Sequence, residues 1–137
     1  MAIVDTNTVI RTYLVACTSL TDLIGTKVYV PRLHENAILP AISFKTVGGD
    51  TNPHIPPWLR PSVQFFCWAD SFMGARAVYR ALYDNLQGIE RQVVAVGGTD
   101  YIIWSAEEES QGQDLVDEEI PEYFKVLTFF TFDIKAE

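Results

Sequence analysis

The feature that most constrains the fold is the apolar alternation in EYFKVLTFFTFDI, residues 122–134. Successive side chains of a strand point to opposite faces of a sheet. One face of this strand carries Phe124, Val126, Phe130, Phe132 and Ile134, with Thr128 as the polar exception. The other face carries Lys125, Thr131 and Asp133. A strand of this kind requires a sheet with one buried face, so the chain must build a core against it.

Two helices are predicted from apolar residues that recur at spacings of three and four. The first follows Asp5, a typical N-cap, and SLTDLIG adds a further turn or two before Gly25. The second begins at Asp70 or Ser71 and ends before Gly88. Its apolar stripe is predicted to comprise Met73, Ala77, Val78, Ala81, Leu82 and Leu86.

The remaining elements are predicted to be strands. KVYV is a short one, AISFKTV ends at Gly48 and Gly49, and SVQFFCWA is apolar on both faces, as in a central strand. RQVVAV and YIIWSA flank the turn-forming stretch GGTD at 97–100, which predicts a β-hairpin. The order of elements predicts one α+β domain over residues 1–137, with two helices packed on one mostly antiparallel β-sheet.

Length and composition place the chain among globular proteins. A chain of 137 residues can bury about 70% of its unfolded surface and needs no metal or disulfide support. The formal charge of −8 disfavours a protein that grips nucleic acid through phosphate contacts, because that mode needs a basic face. The N-terminal sequence does not predict a signal peptide, and no apolar run approaches the ~20 residues of a membrane span.

A proline-rich segment, TNPHIPPWLRP at 51–61, lies between two predicted strands. Proline fixes φ and removes a hydrogen-bond donor, so a stiff loop that cannot pair as an inner strand is predicted. A stiff loop loses little entropy on binding, and tryptophan and arginine are common in interface hot spots. His54, Trp58 and Arg60 are therefore the candidate partner-binding residues. The alternative is a structural lid, in which Trp58 folds back over the end of the sheet.

An acidic segment spans residues 107–122, where eight of sixteen residues are acidic and none is basic. Such a block repels itself, which predicts a solvated or mobile loop. The candidate residues for an acidic rim are Glu107, Glu108, Glu109, Asp114, Asp117, Glu118 and Glu119.

Catalytic and metal-binding patterns are absent from the sequence. His34 adjoins Glu35 and His54 follows twenty residues later, which matches no metal-ligand spacing. The paired glycines at 48–49 and 97–98 lie outside any phosphate-binding motif. Cys17 and Cys67 stand among apolar residues, which predicts buried free thiols and a reducing compartment. No enzyme activity, cofactor or metal is predicted.

The order of several short motifs resembles the tail-completion (tail-terminator) proteins of long-tailed bacteriophages. The matching features over residues 9–88 are LIGTKVYV, the strand opening LPAISF, and a strand ending in CWA before a helix that begins with small residues. Two features depart from that family. His34 stands where its members often have proline, and the acidic segment has no counterpart in them.

The resemblance implies a structural virion protein without catalytic activity. Members assemble as a ring, generally of six subunits, at the head-proximal end of the tail tube after formation in the host cytoplasm. The ring stops tube polymerisation and joins the head connector, so its implied partners are further copies of the chain, the tail tube protein and the connector, while DNA passes without specific binding. The alternatives are a head-completion or connector adaptor on the portal side, and a small binding protein outside any virion.

Overall fold

The helices of this computed structural model lie in the first two thirds of the chain, and the structure describes residues 5–30, 33, 38–51, 58–116 and 123–136. Helix α1 spans Thr6–Val15, α2 spans Thr18–Ile24 and α3 spans Phe72–Leu86. The side chain of Asp5 accepts from the Asn7 amide at the start of α1. The side chain of Ser71 accepts from the Gly74 amide at the start of α3. Both predicted N-caps are therefore confirmed, with Ser71 chosen over Asp70.

The strands form one six-stranded sheet with the order β1-β2-β3-β6-β5-β4. Their bounds are β1 Val28–Tyr29, β2 Ala41–Thr51, β3 Trp58–Ala69, β4 Gln92–Val96, β5 Thr99–Val116 and β6 Phe124–Ala136. The β1–β2 pairing is parallel and the other pairings are antiparallel. Gly97 and Gly98 form the β4–β5 turn with φ of 59° and 81°, so the predicted hairpin is confirmed.

The predicted fold class, two helices on one mostly antiparallel sheet, is wrong. The described part of the chain is mostly β, with a mixed sheet and three helices, and strands hold about twice as many of its residues as helices do. Three stretches that were predicted to be loops instead extend strands, namely 48–51 in β2, 58–61 in β3 and 107–116 in β5. Pairing with a neighbouring strand satisfies the backbone there, and this outweighs the low strand propensity of glycine, proline and glutamate.

The sheet curls around α1. This helix contacts both β1 and β4, which are the opposite edges of the sheet. In a flat sheet these edges would lie ~24 Å apart, about twice the diameter of a helix with its side chains. The concave face therefore holds the core, in which Phe65 has its ring centroid 5.3 Å from that of Phe44 and 5.8 Å from that of Phe130. No described helix is long and apolar enough to cross a membrane.

Strand β2 continues past Gly48 and Gly49, where it was predicted to end. A β-bulge between Thr46 and Gly48 shifts the register, after which Gly49 pairs with Pro61. Both glycines have positive φ, of 139° and 129°, which side chains rarely adopt. The two glycines therefore bend the strand instead of ending it.

Pro61 occupies an inner strand, contrary to the prediction. Strand β3 lies between β2 and β6, yet its pairs with β6 pass from Leu59–Ile134 to Ser62–Thr131, leaving Arg60 and Pro61 without a β6 partner. This interruption of the ladder accommodates the missing proline N–H. Pairing with Gly49 of β2 and burial of the side chain hold Pro61 within the strand.

Candidate functional site

The helices pack on one face of the sheet, and the opposite face carries no described helix. Helix α3 contacts β3, β5 and β6, while α2 packs against α3. Along β3 the buried Val63, Phe65 and Cys67 point toward the helices. On β3 and β6, the residues between these buried ones point to the opposite face of the sheet, together with their partners on β2. We call this the outer face, and it comprises Ser43, Lys45, Gln64, Phe66, Trp68, Lys125, Leu127, Phe129 and Thr131.

The outer face contains an ordered aromatic cluster. The ring of Phe66 lies 5.9 Å from that of Trp68, and Tyr123 meets Trp68 edge-on at 6.5 Å. The Lys125 ammonium lies 4.7 Å from the Phe66 ring centroid and 4.9 Å from that of Trp68. The indole N–H of Trp68 donates to Ser43 Oγ at 2.9 Å. These contacts fix the buried Trp68 and the partly buried Phe66 and Tyr123 beside a cation, which is a composition typical of protein interfaces.

The proline-rich segment contains the connection between β2 and β3, which we call the hairpin tip. His54 lies outside the described residues, and Trp58 and Arg60 belong to β3. Arg60 is exposed, and its Nε lies 3.3 Å from Asp133 Oδ1 on β6. The structure therefore places Trp58 and Arg60 on one strand next to the hairpin tip. Whether this tip docks on a partner or acts as a lid stays a prediction.

The acidic segment was predicted to be a loop, and its first ten residues instead form the second half of β5. Glu107, Glu108, Glu109 and Asp114 lie on this strand, while Asp117, Glu118 and Glu119 fall outside the described residues. Their pairing with β6 includes register shifts at Glu108–Ser110 and Ser110–Gln113. Because successive side chains of a strand point to opposite faces, neighbouring acidic side chains here lie in different surroundings.

Glu108 points under α3, where it is the centre of a polar network. Its carboxylate accepts from Tyr79 Oη at 2.7 Å and from Thr128 Oγ1 at 2.6 Å. The Glu108 amide donates to Gln87 Oε1 at 2.8 Å, and the Gly112 amide donates to Tyr79 Oη at 3.2 Å. Burial and the hydrogen bond to Glu108 together raise the pKa of Tyr79. The network explains why polar Thr128 is fully buried on the apolar face of β6.

The other described acids of this segment are exposed. Glu109 accepts hydrogen bonds from the hydroxyls of Ser62 and Thr131, which places its carboxylate over the outer face. Asp114 lies 3.5 Å from Arg76 on α3. Glu107 is also exposed. Of the described candidates for an acidic rim, Glu108 lies in the polar network, whereas Glu107, Glu109 and Asp114 face solvent.

The proline-rich tip and the acidic connection lie at opposite ends of the sheet. Strand β3 pairs with β6 from Trp58–Lys135 at one end to Ala69–Phe124 at the other. At about 3.3 Å per residue, this separates the two ends by ~36 Å. The molecule thus presents two distant ends of different chemistry, with the outer face between them.

The described residues contain no cluster of three or more histidine, cysteine, aspartate or glutamate side chains that could hold a metal. Both thiols are free and buried, as predicted, and burial raises the pKa of each. A raised pKa disfavours the thiolate that nucleophilic chemistry needs. A cleft between α1 and β4 is lined by Thr12, Tyr13, Ala16, Cys17 and Gln92–Ala95, which form no nucleophile–base pair.

Comparison of sequences finds no match for the chain, whereas comparison of folds finds a similar structure. No family model matches the chain, and no curated protein matches it. A chain of the solved structure "Virion of native gene transfer agent (GTA) particle" shares its fold with a TM-score of 0.65. The match covers 93% of this chain and 92% of that one at 16% sequence identity. The two chains share an architecture over almost their entire lengths.

Proposed function

We propose that this protein is a structural component of a virion without catalytic activity. The observation that carries the proposal is the fold match with a chain of a gene transfer agent virion, which spans nearly all of both chains. The ordered outer face and the two distant ends supply surfaces for assembly.

Within the virion, we propose that the chain forms a ring, generally of six subunits, on the head-proximal end of the tail tube. The motif resemblance supports this position, which would stop tube polymerisation and present a surface to the head connector. A closed ring uses heterologous contacts, so each subunit needs two different faces. The sheet's opposite ends and its outer face meet that requirement.

The proposed position at the head-proximal end of the tail can be tested with a stop codon early in the gene, in the genome that encodes the particle. Negative-stain electron microscopy of the lysate should then show filled heads beside unattached tails, with some tails overlong. Heads that leak DNA beside finished tails of normal length would instead place the protein on the portal side, as a head-completion or connector adaptor. Normal virions would rule out both positions.

The β2–β3 hairpin from Gly48 to Pro61 is proposed to dock on the tail tube or on a neighbouring subunit. Replacing Trp58 and Arg60 together with alanine should abolish tail joining while the isolated protein stays folded. The exposed Arg60–Asp133 pair is worth at most about 1 kcal/mol, so its loss alone cannot unfold the chain. Plaque counts and micrographs measure joining, and circular dichroism measures folding.

A matched control for this double variant is Trp104→Ala with Arg80→Ala. Trp104 is partly exposed, and Arg80 forms an exposed ion pair with Asp84 on α3. The control removes the same two residue types outside the hairpin and should leave joining unchanged. Normal joining in the hairpin variant would contradict the docking role and favour the structural lid.

The exposed acids of β5 are proposed to face the DNA path, where negative charge keeps the genome from adhering. Glu107 and Glu109 are the acids on the side of the outer face, and replacing both with their amides should slow DNA ejection several-fold, and more at low salt. Amide replacements at the exposed Asp22 and Glu90 remove the same charge elsewhere and serve as the control. Ejection kinetics that do not differ between the two double variants would contradict this role.

A further inference from the structure

Strand β4 forms one edge of the sheet, and its sequence leaves that edge open to pairing. The other edge strand, β1, has only two residues, which give a further strand little backbone to bind. Strand β4 has five residues, QVVAV, with neither a charge nor a proline, and its pairing with β5 contains no register shift. Charges, prolines and bulges are the features that normally protect an edge strand from further pairing.

The backbone groups of Val93 and Ala95 face this edge. Because β4 and β5 are joined by a two-residue turn, Val96 and Thr99 form a hydrogen-bonded pair. Hydrogen-bonded pairs alternate along an antiparallel ladder, so Val94 also bonds to β5. The N–H and C=O groups of Val93 and Ala95 therefore point away from β5, and no described strand lies on that side of β4. Donors and acceptors at this spacing match the backbone of an extended chain.

A cleft of about 310 Å³ lies beside this edge, between β4 and α1. The described sheet residues that line it, Gln92–Ala95, all belong to β4, so the cleft lies at the edge of the sheet and not over its face. On the side of α1 it is lined by Thr12, Tyr13, Ala16 and Cys17. The hydroxyl of Thr12 donates to the Thr8 carbonyl and that of Tyr13 to the Asn85 carbonyl. These hydroxyl protons are therefore used away from the β4 edge.

The lining of the cleft is neutral and partly made of small side chains. None of the described lining residues is charged, and Ala16, Cys17 and Ala95 are small. A charged side chain that entered the cleft would lose water without gaining an opposite charge. The side chain of Val93 is 49% exposed and offers a further apolar contact. The cleft thus suits an uncharged chain with small apolar side chains.

We propose that the β4 edge and the cleft beside it bind an extended, uncharged segment of a partner protein, which pairs with β4 as a seventh strand. The backbone groups of Val93 and Ala95 supply the hydrogen bonds, and the cleft receives a small apolar side chain. The β4 strand of a second copy is a poorer occupant, because its own α1 lies beside that edge and would meet the first α1. This inference does not depend on the proposed position in the virion.

Amide hydrogen exchange of the full chain, labelled with nitrogen-15, tests whether the edge is open. In the free protein, the amides of Val93 and Ala95 should exchange about tenfold faster, or more, than those of Val94 and Val96, which bond to β5. Equal protection of all four amides would show that the edge is already paired and would overturn the proposal.

The binding probe is the capped peptide Thr-Val-Ala-Val-Thr. It should shift the amide signals of Val93 and Ala95 and slow their exchange about tenfold or more. Because no described lining residue is charged, binding should not change when salt is raised to roughly 0.5 M. A control peptide has the same side chains but methylated backbone nitrogens, so it cannot donate to a strand. It should leave both signals unchanged.

Ala95→Pro removes an N–H that points away from β5, so the ladder with β5 stays intact. It should weaken binding of the probe about tenfold, measured by titration of the Val93 signal. Ala95→Ser keeps the N–H and should bind like the native protein. Circular dichroism checks that both variants are folded.

A second variant fills the cleft without touching the backbone of β4. Ala16 is exposed at the end of α1, so Ala16→Leu should not alter folding and should weaken binding about tenfold by occupying the cleft. Ala77→Leu is the control, because Ala77 is exposed on α3, although its spacing predicted burial. It should bind like the native protein.

Several outcomes would overturn the proposal. They are unchanged Val93 and Ala95 signals with the probe, equal shifts with the methylated peptide, and equal binding by the Ala16→Leu and Ala77→Leu variants. Signals that move with protein concentration alone would identify the occupant as a second copy. None of these outcomes bears on the stop-codon experiment, so failure of one proposal can be told from failure of the other.

Discussion

Replacing Gly49 with alanine should lower the free energy of unfolding by about 3 kcal/mol or more, from backbone strain and overpacking combined. The residue has φ of 129°, and an added Cβ would lie 2.2 Å from the Arg60 carbonyl oxygen and 2.8 Å from Pro61 Cα. Both neighbours are backbone atoms of the paired strand, so neither can move without breaking the β2–β3 register. Urea unfolding followed by circular dichroism measures the loss.

Gly48→Ala is the matched control for this prediction. Gly48 has a similar φ of 139°, but apart from its own atoms and its two chain neighbours no heavy atom lies within 4 Å of the Cβ position. It should therefore cost only the backbone strain, about 1–3 kcal/mol, and less than its neighbour. Equal losses in the two variants would show that the close approach of β3 to Gly49 contributes nothing.

Replacing Glu108 with alanine should lower the free energy of unfolding by about 2 kcal/mol, because buried hydroxyls lose their acceptor. Tyr79 and Thr128 both donate to this carboxylate, and Thr128 is fully buried. Thr128 keeps a second contact with the Ser110 carbonyl at 3.0 Å, which limits the cost. Thermal or urea unfolding measures the change at neutral pH.

Glu107→Ala provides the control, because it removes the same charge from the adjacent, exposed position. Its effect should stay within about 0.5 kcal/mol, as for most surface substitutions. Glu108→Gln should fall between the two, because its amide oxygen can still accept a hydrogen bond. If Glu107→Ala and Glu108→Ala destabilise the protein equally, the network under α3 does not hold the acidic strand in place.

Several predictions that depended only on neighbouring residues in sequence were confirmed. The caps Asp5 and Ser71, the Gly97–Gly98 turn and the two faces of β6 were all predicted from local sequence. Each depends on the chemistry of a few adjacent residues, such as a side chain that caps its own helix or glycines that accept positive φ. Tertiary packing agreed with these preferences and did not override them.

Predictions that required knowledge of the neighbouring element were wrong. Helical spacing assigned Met73 to the buried stripe, but spacing does not tell whether the first turn of a helix faces the sheet or solvent. Pro61 was excluded from an inner strand, yet the β3–β6 ladder is interrupted at that residue. The acidic segment was predicted to be a loop, although β6 supplies hydrogen-bond partners for its first half.

Local sequence was enough to predict the helix caps, the Gly97–Gly98 turn, the buried face of β6 and the buried thiols. The curling of the sheet around α1 and the position of Glu108 under α3 follow instead from tertiary packing. The reason is the range of the interactions. Caps, turns and alternation are set within a few residues, whereas strand pairing and burial join residues as distant as Tyr79 and Glu108, whose contact no sequence pattern records.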